Sequence, residues 1–338
     1  MIFVVLNKKI KLINPTKLRE SFKRANIKRT DLDNPIMGEN IILDPTLTGQ
    51  VTVLETDSKI QKYKLKLQNP KTNRNILAYD ESIQKFNMLQ GSLVFTSHAL
   101  VETGTNDYDY SCQLTAYFAT RARDYKDMEI AIISDTPDEE VKKRYLDDRF
   151  EFLMANVPKN SILFVDGPLI GAQSSSKNVE LVEQLMEEDI IPIFYVKNSY
   201  SSLVIDNISG NYKNKYNTDL DFANKFIDVG ERTSYFLYQD LVNKRNNKVF
   251  AYVKCYNKLP QRFEMHHETF KKYKDEIEGI TMMINYYSVL QGDINNPQLR
   301  PVAIAERFAR ESLKYFSPSQ LILITGLDET MNAMRGFG

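Results

Sequence analysis

Two cysteines, three histidines and no tryptophan occur among 338 residues. Cys112 and Cys255 are too few for a disulfide scaffold or a cysteine-based zinc site, and they point to a reducing, cytoplasmic setting. Three histidines argue against a centre built on several imidazole ligands. Charge of one sign is also lacking, since 44 basic residues meet 44 acidic ones. That balance excludes a polybasic, histone-like binder, although a local basic surface could still face nucleic acid. No apolar run approaches the roughly 18 residues of a spanning helix, and the short apolar start MIFVVLNKKIKL soon gives way to charge. Neither a signal peptide nor a membrane partner is expected. The phosphate-cradling pattern GxxxxGK[ST] and the nucleophile elbow GxSxG are both absent.

What is present is the balance of a folded protein, 42% hydrophobic and 26% charged. Residues 1–72 suggest an N-terminal accessory region, with a strand at 2–6, a basic helix at 16–28 and an alternating hairpin over 50–68. A second pattern starts near residue 73 and continues to 338. ILAYD (76–80), SLVFTSHALVET (92–103), QLTAYFAT (113–120) and MEIAIIS (128–134) suggest four strands, the first of them in a meander and the last opening a strand–helix–strand series over 128–197. Pro137 and the acidic residues after it open a helix over 137–156, along which Tyr145, Phe150, Leu153, Met154 and Val157 recur at helical spacing. ILFVD (162–166), a helix (178–189) and IIPIFYVK (190–197) follow, so parallel strands with crossovers adjoin the meander in a mixed α/β sheet. KVFAYVKCY (248–256) adds a strand, and helices are expected over 265–276, 301–315 and 328–335.

Asp80 and Asp166 occupy matching places, each the first polar residue after an apolar strand. Adjacent strands would bring the two carboxylates together, a repulsive arrangement unless a cation intervenes. Hard Mn²⁺ or Mg²⁺ takes such oxygen ligands and serves phosphodiester hydrolysis. Asp147, Asp148 and Glu151 on the helix before Asp166 are candidates for a third acid, and Glu151 lies at the border of the apolar stripe. Taken singly, each of these residues also fits a turn or a solvated surface.

Together these segments resemble the NurA nuclease family. The resemblance lies in ILAYDESIQKF (76–86), the strand 92–103, the helix with Arg149-x-Glu151, ILFVDGPL (162–169), PIFYVKNSYSSLVID (192–206), VFAYVKCYNKLPQRFEM (249–265) and NPQLRPVAIAERFAR (296–310), in the family's order. It implies an RNase H-like fold and a Mn²⁺- or Mg²⁺-dependent nuclease acting on single strands and DNA ends. It further implies a homodimer working beside a HerA-type hexameric ATPase in DNA end resection and repair. By position, Asp80, Glu151, Asp166 and Glu306 would be metal ligands, and Lys197 would stabilise charge or hold phosphate. Two departures stand out. Glu81 replaces the glycine of the family's Asp-Gly-Ser, and Glu306 stands where the family has His or Asp. A catalytically inactive module that binds DNA or the translocase is the alternative, and a metal-free structural partner is a third reading.

Other features are ascribed to structure or to substrate. His98 is expected in the core, and His266 and His267 at the surface or a helix start. Arg262 is expected to contact the DNA backbone. Tyr200 and the pair Tyr286–Tyr287 are candidates to stack on unpaired bases.

Overall fold

A computed structural model of the chain describes residues 51–68, 71–103, 108–171, 175–208 and 215–315. The expected strand 2–6 and the expected helices 16–28 and 328–335 lie outside the described residues.

Among the described residues one mixed sheet holds β1 (Val51–Val53), β2 (Lys62–Lys64), β3 (Asn75–Asn87), β4 (Ser92–Thr103), β5 (Tyr108–Thr120) and β6 (Ala131–Ile133). It continues with β7 (Ser161–Asp166), β8 (Ile190–Val196), β9 (Glu231–Thr233), β10 (Phe236–Tyr238), β11 (Lys248–Lys254) and β12 (Gln261–His266). The helices are α1 (Pro137–Asn156), α2 (Ser175–Glu187), α3 (Asp219–Phe226), α4 (His267–Lys272), α5 (Lys274–Gln291) and α6 (Arg300–Ser312). Across the sheet the order is β1-β10-β11-β12-β8-β7-β3-β4-β5-β6, with β9 on β11 and β2 on β9. β3, β7 and β8 run parallel to one another, whereas β3, β4 and β5 form the expected antiparallel meander.

The central strands are apolar on both faces because helices cover both faces. Ile162, Phe164, Ile193 and Tyr195 pack toward Ile280, Ile284, Val302 and Ala305 of α5 and α6. Leu163, Val165 and Phe194 pack toward Phe152 and Leu153 of α1 and Leu181 and Leu185 of α2. Strand alternation sorts one set from the other. Pro301 in the first turn of α6 and the small residues Ala305 and Ala309 on its buried side let that helix lie close over β3 and β4. Ser312 ends it against the sheet, its hydroxyl 2.6 Å from that of Ser97.

Four expectations change. The segment 50–68 forms no hairpin: β1 pairs with β10 and β2 with β9, so both strands join the sheet on partners far along the chain. The sheet therefore already includes strands before residue 72. ILAYD does not end at Asp80, because β4 offers hydrogen bonds along its whole length and β3 continues to Asn87. The helix expected from 265 begins two residues later, since Met265 and His266 still pair with Val249 and Lys248 of β11. His266 then caps α4, its ring accepting from the Glu268 N–H. Sequence patterning also passed over α3, β9, β10 and most of α5.

Candidate active site

Tyr79 of β3 pairs with Val165 of β7, and Asp80 and Asp166 follow at the next position of each strand. The two aspartates are thus neighbours at the carboxyl edge of the parallel strands, where β7 stops and β3 runs on. Asp80 is buried and accepts the N–H of Glu81 at 2.7 Å. Burial, and next the Asp166 charge, push its carboxyl up to about 8. Asp166 is raised too, by burial first, with Lys197 opposing and Glu306 and Glu81 adding to the rise.

Lys197 follows β8 and brings the cation of the group. Its Nζ stands 3.1 Å from Asp166 Oδ2 and donates to Glu306 Oε2 at 2.8 Å. Burial works to lower the Lys197 pKa, but the charges of Asp166, Glu306 and Asp80 outweigh it, so the ammonium holds its proton above the ordinary range. Glu306 projects from α6 beside the buried Ala305 and also accepts from Gln298 at 3.0 Å and from Arg310. These partners outweigh its desolvation and hold its carboxyl below the usual value. The structure therefore brings together Asp80, Asp166, Lys197 and Glu306 from four separate elements.

Glu151 does not join them. It is exposed, while the buried side of α1 is formed by Val141, Tyr145, Arg149, Phe152 and Leu153. Apolar spacing placed the stripe one step off because a buried arginine occupies its centre. Asp147 pairs with Lys177 at 3.0 Å and Asp148 takes the Tyr117 hydroxyl, so neither reaches the aspartates.

Arg262 is another correction. It is buried, with Nε 2.9 Å from Glu264 and Nη1 donating to Ser201 at 2.7 Å, which leaves no free guanidinium face for a DNA backbone. Tyr287 is buried with Tyr286 packed edge-on against it, whereas Tyr200, three residues beyond Lys197, is exposed.

The carboxylate that sequence reasoning missed is Glu81. As the next residue of β3 it points to the opposite face from Asp80. There it accepts the Tyr79 hydroxyl at 2.6 Å and lies 4.0 Å from Arg149 Nε. The Tyr79 hydroxyl also meets His98 Nδ1 at 2.7 Å, and His98 is the core residue expected, stacked on Tyr145. Two consecutive acids in a strand send one carboxylate to each face, and that was the available signal.

Among the described residues no three His, Cys, Asp or Glu side chains already converge as a metal cage. Asp80 and Asp166 nevertheless fit a hard divalent cation. Both offer carboxylate oxygens at adjacent positions, and a single ammonium leaves Asp80 protonated up to about pH 8.

A mixed sheet with helices on both faces and two aspartates side by side on its central parallel strands is an RNase H-like arrangement. The chain belongs to the NurA family: the NurA domain profile matches residues 48–281. The NurA nuclease from Sulfolobus solfataricus is similar in structure, with a TM-score of 0.52, 12% identity, and coverage of 95% of this chain and 98% of that one. A second NurA structure aligns with a TM-score of 0.37 at 11% identity, covering 80% of this chain and 92% of the other. Ciona intestinalis Endonuclease V, bound to a 24mer DNA containing inosine, aligns with a TM-score of 0.38 at 11% identity over 72% and 87% of the two chains. No curated protein matches the sequence.

Proposed function

We propose that the chain is a nuclease that hydrolyses DNA phosphodiesters with Mn²⁺ or Mg²⁺ held by Asp80 and Asp166. The observation that carries the reading is the placement of these two carboxylates at adjacent strand positions, with Lys197 and Glu306 closing the group. A divalent cation bound there supplies Lewis acidity toward phosphate and an acidified water. Lys197 offers the positive charge that a backbone phosphate needs on approach, once its hold on Asp166 or Glu306 loosens. Glu306, Gln298 and Arg310 keep that ammonium beside Asp166 rather than out in solvent. Glu306 is the third carboxylate on the Asp166 side, whereas Glu81 stays on the opposite face with Tyr79 and Arg149. The exposed Tyr200, three residues beyond Lys197, is available to stack on an unpaired base. Homodimer formation, partnership with a HerA-type hexameric ATPase and a role in DNA end resection belong to the same proposal and rest on family membership.

One observation favours a second reading, that of a catalytically inactive module binding DNA or the translocase. Lys197 already bridges Asp166 and Glu306, and Glu151 faces away. Incubation with single- and double-stranded DNA and Mn²⁺, with wild type beside Asp166→Asn, separates the two. The nuclease reading expects metal-dependent cleavage that falls about a hundredfold or more in the variant. Wild-type protein that cuts neither DNA, with or without the translocase, but still binds one of these partners supports the inactive module.

A further inference from the structure

Three charged side chains lie together where the site chemistry does not use them. On the face of the sheet opposite Asp80, Glu264 is 0% exposed, Lys248 4% and Arg262 6%. Glu264 Oε1 accepts from Lys248 Nζ at 2.7 Å and lies 2.9 Å from Arg262 Nε. Burial alone would raise the Glu264 carboxyl, but the two cations outweigh it and keep it ionised. A buried ion cluster is seldom needed for stability, since apolar side chains of the same volume usually serve as well. What these side chains touch is more telling.

The second oxygen of Glu264 accepts the Leu169 N–H at 3.0 Å, three residues after Asp166. Gly167, with φ +98°, turns the chain there from the Asp166 face to the opposite one, while its N–H stays bonded to Tyr195 at 2.9 Å. The Leu169 carbonyl accepts from Asn178 at 2.9 Å, so both sides of this residue are tied. Arg262 works on the neighbouring loop. It donates to the Ser201 hydroxyl, which donates to Asp219 at 2.7 Å. Asp219 in turn accepts the N–H groups of Val204 and Ile205 at 2.8 and 3.0 Å. One cluster on β11 and β12 therefore fastens both loops that leave β7 and β8, directly after Asp166 and from Lys197 onward.

We infer that the Lys248–Glu264–Arg262 cluster is a positioning device, which sets the separation of Asp166 and Lys197 and so the metal affinity of the site. The inference rests on the nuclease reading above. None of the three side chains touches the aspartates, so their role is indirect, as for groups that orient metal ligands from behind.

Mn²⁺ titration of the full chain, followed by electron paramagnetic resonance, tests it alongside DNA cleavage and thermal melting. Glu264→Gln is expected to weaken Mn²⁺ binding by about tenfold to a hundredfold, and to raise the Mn²⁺ concentration needed for half-maximal cleavage equally. Ser201→Ala cuts the Arg262–Asp219 link along with the hydroxyl's contacts to Ser199 and Tyr252, keeps the buried charges paired, and is expected to weaken binding by about tenfold. Should Glu264→Gln not fold, the Ser201→Ala result decides alone. Val249→Ala, on the other face of β11, is the control that lowers the melting temperature without changing Mn²⁺ affinity. If Glu264→Gln or Ser201→Ala behaves like this control, the inference is overturned while the nuclease reading stands. Wild-type protein that binds no Mn²⁺ and cuts no DNA overturns both.

Discussion

Replacing Asp80 by asparagine should stabilise the metal-free protein at alkaline pH and leave it nearly unchanged in acid. Below about pH 4 the Asp80 carboxyl is protonated in the folded and unfolded chains alike, so it adds no pH-dependent cost. Between about 4 and 8 the unfolded chain releases this proton while the folded one retains it, so stability falls as pH rises. Above about 8 both forms are ionised and the full cost of a buried carboxylate beside Asp166 is present. Moving a carboxyl from 3.8 to about 8 corresponds to about 5–6 kcal/mol, a ceiling that water entry and side-chain rotation reduce. At about 2 °C per kcal/mol for a chain of this size, the ceiling is a melting difference of about 10 °C. The assay is thermal unfolding of wild type and Asp80→Asn in chelator at pH 5 and pH 8.5. The variant's advantage should be small at pH 5 and several degrees at pH 8.5, and Mn²⁺ at pH 8.5 should raise wild type far more than the variant. Since all other titrating groups are common to both proteins, an equal difference at the two pH values would refute the reasoning.

Other changes test neighbouring parts of the structure. Glu151→Gln should alter Mn²⁺-dependent cleavage by less than about twofold, since the side chain faces solvent and surface changes of this kind are small; a loss like that of Asp166→Asn would return Glu151 to the site. Arg149→Met should destabilise the fold by about 3 kcal/mol in urea titration, because it leaves Glu81 without its cation and Tyr79 without the guanidinium 5.4 Å above its ring. Ala305→Leu forces side-chain volume between α6 and the sheet, with an expected cost of about 1–3 kcal/mol in the same titration. Gly167→Ala must hold φ +98° with a Cβ attached, and a loss of about 1 kcal/mol is expected.

The segments that announced themselves in the sequence were those whose apolar period the final packing preserves. SLVFTSHALVET is β4 to the residue, and 137–156 is α1 to the residue, because flanking turn residues and Pro137 fix their ends locally. Asp80 and Asp166 were legible because each interrupts an apolar run that two layers of helix require. Short strands such as β9 and β10 were not, since three residues carry no period and their pairing depends on β2, β11 and β1 far away in the chain. Glu151 and Arg262 were misplaced for one shared reason: burial of an arginine is decided by its partner, and neither Glu81 beside Arg149 nor Glu264 beside Arg262 is visible in a hydropathy pattern.

β3 carries two acids in succession where β7 ends, and Asp166 feels both layers of the protein. Its carboxyl is raised by Glu306 from the α6 side and by Glu81 from the α1 side. The sheet, which keeps the two apolar cores apart, is electrically open at that one edge. A charge arriving on the α1 face therefore acts on the Asp166 carboxyl across that edge, although the two cores stay apart.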